Sequence, residues 1–425
     1  MTSTMSKAKK KQNIDRSGRT RHRRRLHGRK LNALCVIDDI MSEENFRQAK
    51  EGEIVRARTL KSEKLTDTIC RYNQTITRVD FIETVQAPGY RLHPFSTTDI
   101  PKPNGKLRRL YIQQDPAARL LERMLFQKLS PILEKQFSDC SYAYRPGRSM
   151  VDLLKDAARH APVWKFAAKV DISKYFDTID HHILREELRK ALRPDQETEK
   201  LLALVLKPRY YDRGEKRILS KNPGVPQGAV MAPLLANFYA TPVDKVMEGM
   251  ETVKYFRYAD DILILGKRES DVDEALNTLV ELLAQRKLLV NEEKLVKGAL
   301  RGLEYLGVRF GDGEFMEIPA VRLRNKLKEI FSLAIERDVM PRLSGLLLHY
   351  WNISPALLQN RYVDEMILAE SGDMADKALE VLKAVRSRKG KQLWKDLAVL
   401  DRAVSPDHER KEDKLELIFF FSRVV

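Results

Sequence analysis

Two apolar runs, VKYFRY at residues 253–258 and ILIL at 262–265, flank a pair of adjacent aspartates, Asp260 and Asp261. Aromatic and β-branched residues on both sides of a short polar break predict a β-hairpin. A hairpin this apolar belongs inside a sheet, and its turn then carries two carboxylates to one end of that sheet. Adjacent acids repel, and a divalent cation relieves the repulsion. An Asp-Asp turn is common in hairpins by itself, so its meaning depends on what else the chain sets beside it.

A further acid of the same kind stands upstream. FAAKVDI (residues 166–172) reads as a buried strand, and Asp171 is out of keeping with the apolar residues before it. Between residues 166 and 310 such strands alternate with amphipathic helices, HHILREELRKAL (181–192) and DVDEALNTLVELLAQRKL (271–288). The alternation predicts an α+β fold with helices on one face of an antiparallel sheet. Before it, HPFSTTDIPKPNGKLRRLYI (93–112) reads as strand, turn and strand, with Asn104-Gly105 at the turn. DPAARLLERMLFQKLSPIL (115–133) follows as a helix with apolar residues three and four apart. Residues 31–89 read mostly as helices, and the chain is helical again from about residue 319 to its end, with Trp351 and Trp394 as expected core anchors.

Composition narrows the class. The 425 residues are 43% hydrophobic, which supports a large core shared by two or three structural units. Cys35, Cys70 and Cys140 lie far apart with no CxxC pair, so the expectation is neither a disulfide framework nor a zinc finger, and a reducing cytoplasm. No apolar run reaches the roughly 20 residues of a spanning helix. Net charge is +17, and residues 1–30 supply +11 of it, with twelve Lys/Arg against one acid, Asp15. Arg19, Arg21, Arg23, Arg24, Arg25 and Arg29 dominate that arm, and arginine is the side chain suited to bidentate phosphate contact and base stacking. The arm reads as an RNA-binding segment, with a solvated tail as the plain alternative.

The motifs together resemble those of reverse transcriptases of the bacterial group II intron-like type. Tyr258-Ala259-Asp260-Asp261 resembles the family's Tyr-x-Asp-Asp box, and DISKYFD (171–177) with Asp180-His181 resembles its first catalytic motif. GVPQG (224–228) with APLLANFY (232–239) resembles the Pro-Gln-Gly motif, and YRPGRS (144–149) a segment upstream of the catalytic motifs. IPKPNGKLRRL (100–110) resembles the fingers hairpin, NEEK (291–294) the lysine-bearing motif, and Tyr305-Leu306-Gly307 the primer grip. Ala232 stands where a serine often precedes the proline, and Leu295 replaces the usual threonine or serine after the lysine.

The resemblance implies an RNA-directed DNA polymerase with a right-hand fold. Its expected units are a basic arm (1–30), a helical extension (31–89), fingers (90–165), a palm (166–318) with a fingers-like insertion around 183–222, and a helical thumb (319–425). Asp171 and Asp260 are expected to bind two Mg2+ ions, with Mn2+ as a substitute and Asp261 an outer ligand. Phe176 takes the position of the steric gate against a 2′-hydroxyl. Gln227 and Ile172 lie against the incoming nucleotide, and Lys102 and Arg108 close on its triphosphate. Lys294 is the implied proton donor to pyrophosphate, and Leu306 and Gly307 grip the primer. The implied partners are an RNA template, a DNA product and dNTPs, with no membrane. Few residues follow position 320 and none is a cysteine, so the expectation is a compact stand-alone form, of the defence-associated type before the intron-encoded or retron types. Two other readings keep parts of this picture: a maturase-like RNA-binding protein, and a template-independent or protein-primed DNA polymerase.

Overall fold

The structure is a computed structural model that describes residues 36–387, apart from 59, 61, 102–106, 213–216, 221–222 and 334–335. The arginine arm, Cys35, Lys102, the Asn104-Gly105 turn and Trp394 lie outside the described residues.

Four helices come first: α1 (Ile37–Ile40), α2 (Glu43–Ala57), α3 (Glu63–Thr75) and α4 (Arg78–Gln86). The last three start where a Ser or Thr accepts a hydrogen bond from a first-turn N–H: Ser42, Ser62 and Thr77. Strands β1 (Ser96–Pro101) and β2 (Leu107–Ile112) form an antiparallel hairpin. Helix α5 (Pro116–Glu134) then begins on an Asp115 cap with Pro116 at its first position, and α6 (Met150–His160) begins on a Ser149 cap. After β3 (Phe166–Asp171) come α7 (Tyr175–Thr178), α8 (His181–Leu192), α9 (Gln196–Val205) and a small hairpin, β4 (Arg209–Asp212) with β5 (Arg217–Ser220). Helix α10 (Ala232–Glu248) leads into the hairpin β6 (Val253–Tyr258) and β7 (Asp261–Gly266), and α11 (Glu269–Gln285) and β8 (Val296–Ala299) follow. Three short strands, β9 (Glu304–Tyr305), β10 (Val308–Phe310) and β11 (Met316–Glu317), precede α12 (Ala320–Phe331), α13 (Glu336–Ile353), α14 (Arg361–Ser371) and α15 (Ala375–Arg386). No described helix is long and apolar enough to cross a membrane.

The architecture is the expected α+β one, built on an antiparallel sheet in the order β6-β7-β3-β8. One expectation needs correction: apolar side chains cover both faces of this sheet. Alternate residues go to opposite sides, so Ala168, Val170, Ile262, Ile264 and Val253 join one core with α5, α10 and α11. Ala167, Leu263, Leu265 and Phe256 join a second core with α6 and the C-terminal helices. The unbroken ILIL run is the signature of a strand buried on both faces. It reads at first as half of a one-sided hairpin because the β6 run before it is interrupted by Lys254 and Arg257.

Candidate active site

Sheet register brings the three carboxylates together. Asp171 ends β3 directly across from Asp261, which begins β7. The Ile172 N–H donates to the Asp260 carbonyl at 3.1 Å, so the turn residue is tied to the same strand end. Tyr258 and Asp261 are paired, which leaves Ala259 and Asp260 as a two-residue turn. Such turns need positive φ to match the twist of the strands. With no glycine present, Ala259 supplies it at φ 56.

That strain is held from beneath by Arg257, which is 1% exposed. Its Nη1 donates to the Ala259 carbonyl at 3.0 Å and to Asn237 Oδ1 at 3.2 Å. Nε and Nη2 grip both oxygens of Asp244 at 2.7 and 2.5 Å, and Nη2 also reaches Ser141 Oγ at 2.9 Å. From the other side Tyr305 donates its hydroxyl to the Asp261 carbonyl at 3.1 Å. Reading by motif misses Arg257 and Asp244 and gives Tyr305 only a place in the primer-grip motif, because nothing in their spacing announces these contacts.

Burial, then the charge of Asp171, raises the pKa of Asp260. Burial, then the charges of Asp260 and Asp171, pushes Asp261 up to about 6. Both shifts record carboxylates crowded in a poorly solvated place, the condition a cation relieves. Asp171 already has partners: Asn291 Nδ2 donates to Oδ1 at 3.1 Å and Lys294 Nζ to Oδ2 at 2.7 Å. For Lys294 burial alone lowers the pKa, but the hydrogen bond and charge of Asp171, with Asp261 and Asp260 behind, raise it overall. A raised pKa runs against donating a proton, so the role implied for Lys294 requires Asp171 to release it first.

Oxygen donors alone, with no Cys or His among them, suit a hard cation such as magnesium or manganese. Among the described residues no three acid, His or Cys side chains are already drawn into a finished ligand cage. The three aspartates fit such an ion by chemistry and by strand register.

The remaining expected residues fall around this point. Phe176 on α7 is partly buried against the core, with the ring of Tyr144 edge-on at 6.5 Å. Arg108 is exposed on β2, near enough for its charge to act on Asp260. The Ile172 side chain is 1% exposed in the core, so only its backbone remains to face a nucleotide. Gln227 is half-buried, and its carbonyl accepts from the Tyr111 N–H at 2.9 Å. The next residue, Gly228 at φ 115, admits no side chain, since a Cβ would stand 2.4 Å from the Tyr111 carbonyl oxygen. Gly224 is as constrained, with Asp177 O at 2.6 Å from a Cβ. Glu122 on α5 completes the clamp on this loop: its Oε2 accepts from the Val230 and Met231 N–H groups at 2.8 and 3.4 Å. Leu306, half-buried at φ 45, and buried Gly307 follow Tyr305 beside the second core.

Comparison with known proteins agrees with this constellation. Residues 100–310 match the family described as reverse transcriptase (RNA-dependent DNA polymerase). The chain therefore carries a reverse transcriptase domain, on the mixed helix and antiparallel-sheet plan of a right-hand polymerase. Among relatives, it is 30% identical over 228 residues to protein YkfC of Escherichia coli (strain K12), covering 44% of this chain and 58% of YkfC. It is 27% identical over 214 residues to the group II intron-encoded protein LtrA of Lactococcus lactis subsp. cremoris, covering 50% of this chain and 34% of LtrA. The match thus spans little more than half of the first relative and a third of the second. The structure of telomerase from Candida albicans in complex with a telomeric RNA fragment superposes with a TM-score of 0.44 at 12% identity, covering 72% of this chain and 64% of that one. That likeness is too shallow to add to the domain match.

Proposed function

We propose that the chain is an RNA-directed DNA polymerase that adds dNTPs to a primer by phosphoryl transfer. The observation that carries this is the register of Asp171 against Asp261, with Asp260 tied to the same strand end, inside a matched reverse transcriptase domain. Residues 90–165 act as fingers, 166–318 as palm and the helices after 319 as thumb. Asp171 and Asp260 would hold magnesium, two ions in the full reading, with Asp261 outside them, and ions held there would supply charge stabilisation for the phosphoryl oxygens and activation of the attacking 3′-hydroxyl. Arg108, with Lys102, presents fixed positive charge to the triphosphate. Phe176 excludes a 2′-hydroxyl, Gln227 lies against the nucleotide, and Leu306 and Gly307 position the primer. Lys294 keeps a proton on Nζ for the departing pyrophosphate once Asp171 lets it go.

A primer-extension assay on an RNA template with dNTPs and magnesium tests the reading. Wild-type protein extends, and the Asp260→Ala/Asp261→Ala double variant loses extension at unchanged fold. Full activity in that variant would refute the metal assignment.

The template in this reading is a dedicated structured RNA bound by the arginine arm, in the cytoplasm, and the setting is antiphage defence. The run of arginines between Arg16 and Arg29 supports the RNA-binding part of this reading. Group II intron proteins among the relatives support a competing setting, a maturase-like protein that folds an intron RNA. Sequencing the RNA and DNA that copurify with the protein separates them: defence requires a complementary RNA and DNA pair, and a maturase requires intron RNA without cDNA.

A further inference from the structure

Tyr144 holds a conformation its residue type avoids. At φ 59 it is in the left-handed region, which a bulky side chain keeps only where the surroundings impose it. Its neighbours impose it here. Asn237 Nδ2 donates to the Ala143 carbonyl at 2.5 Å. Arg145 donates Nε to Glu134 at 2.7 Å and Nη1 to the carbonyls of Ser138 and Ser141 at 2.6 and 2.7 Å. Between these two anchored residues the Tyr144 side chain is thrown outward and left 52% exposed.

What it meets there is the reaction centre. Its ring stands edge-on to Phe176, with centroids 6.5 Å apart and planes at 81°. Phe176 is flanked in turn by Tyr175 at 5.7 Å. The charges of Asp260, Asp261 and Arg108 all act on the Tyr144 hydroxyl. Asn237, which anchors Ala143, also accepts from Arg257, the side chain that holds the Ala259 carbonyl. One rigid frame therefore sets both the carboxylate turn and the strained tyrosine.

We propose that Tyr144 is a specificity-determining residue whose ring braces Phe176, so that the gate keeps its position when a ribonucleotide presses a 2′-hydroxyl against it. Phe176 sits on a one-turn helix, and the Tyr144 ring stands edge-on to it on top of its core contacts, which narrows the room for its ring to turn away. The inference rests on the polymerase reading of the site and on Phe176 as its gate.

Single-nucleotide extension with dCTP and with CTP, compared as kcat/KM, tests it in wild type, Tyr144→Phe, Tyr144→Ala, Phe176→Ala and the double alanine variant. Tyr144→Phe keeps the deoxy over ribo preference, and Tyr144→Ala loses roughly tenfold of it, the scale on which shape alone discriminates in a pocket. The double variant discriminates no worse than Phe176→Ala, because the brace acts only through the gate. Tyr144→Gly removes the ring while suiting φ 59, and gives the same loss of preference with the backbone strain relieved. Unchanged preference in Tyr144→Ala and Tyr144→Gly overturns the proposal, as do multiplying losses in the double variant. A Phe176→Ala variant that discriminates like wild type removes the gate and this inference with it, and a wild type that extends nothing removes the function reading.

Discussion

Arg257 illustrates what one buried residue contributes to the placing of carboxylates through the backbone between them. Asp244 is 0% exposed and leans on Arg257 for its charge balance. Arg257→Met strands that carboxylate in the interior, at a cost of about 3–5 kcal/mol. Replacing both members, Arg257→Met with Asp244→Leu, removes the stranded charge and returns most of the stability. It does not return the hydrogen bond to the Ala259 carbonyl, so the Asp260 turn stays loose, and misplacement of about 1 Å at a reacting group costs on the order of 100-fold. The double variant should therefore melt near wild type and yet extend primers slowly. Recovery of both stability and kcat would show that the arginine only neutralises Asp244. At this scale sequence reading reaches the aspartates, because their types and order repeat a known pattern, and stops at Arg257 and Tyr144. Ser141 and Asn237 meet Arg257 only after the chain has folded, and a left-handed tyrosine leaves no trace in composition or spacing.

At the scale of elements, the loop of residues 224–231 shows how a segment without regular structure is fixed by its neighbours. Strand β2 takes the Gln227 carbonyl, and Glu122 on α5 takes the two N–H groups just before α10, those of Val230 and Met231. Burial raises Glu122 from 4.5 to about 7, despite the bonds from Met231 and Val230 that pull the other way. In the folded chain this carboxyl binds its proton more tightly than in the unfolded chain. Its favourable contribution is whole below pH 4.5 and is lost as pH rises through 7, a span equivalent to about 3 kcal/mol. Glu122→Gln removes the slope, so the variant gains on wild type as pH rises from 5 to 8, measured as urea midpoints. A stability difference independent of pH would mean that Glu122 is charged throughout. Some helices and hairpins are legible in the sequence: the helix opening at Asp115 marks itself by its apolar spacing and the ILIL strand by its apolar run, whereas α6 behind Ser149 and the β4–β5 hairpin are seen only in the structure. What covers a strand is not legible in that strand. Helix α6 packs its Leu153, Leu154 and Ala157 beneath the sheet, and its amphipathic pattern looks the same whichever face it seeks.

Across the described residues, the sheet contributes side chains to both cores. Ile264 and Leu263 are neighbours on β7, each 0% exposed, and they enter opposite cores. Trp164 and Trp351 both report on the second core, one within it and one packed against it. If the sheet couples the two, a lesion in the first must be felt by tryptophans that never touch it. Ile264→Ala deletes buried methyl groups from the first core at a cost of about 2–5 kcal/mol. With Trp394 replaced by phenylalanine to leave the two described reporters, the tryptophan fluorescence transition should then move to lower temperature together with the circular dichroism transition. Leu263→Ala, cut from the second core, should move both by a similar amount. Should Ile264→Ala lower the circular dichroism transition while fluorescence stays at the wild-type temperature, the cores unfold separately, and the carboxylates at the sheet's end depend on one core alone. Joint movement instead ties Asp171 and Asp261 to both, because the strands that carry them are held only while each face stays covered.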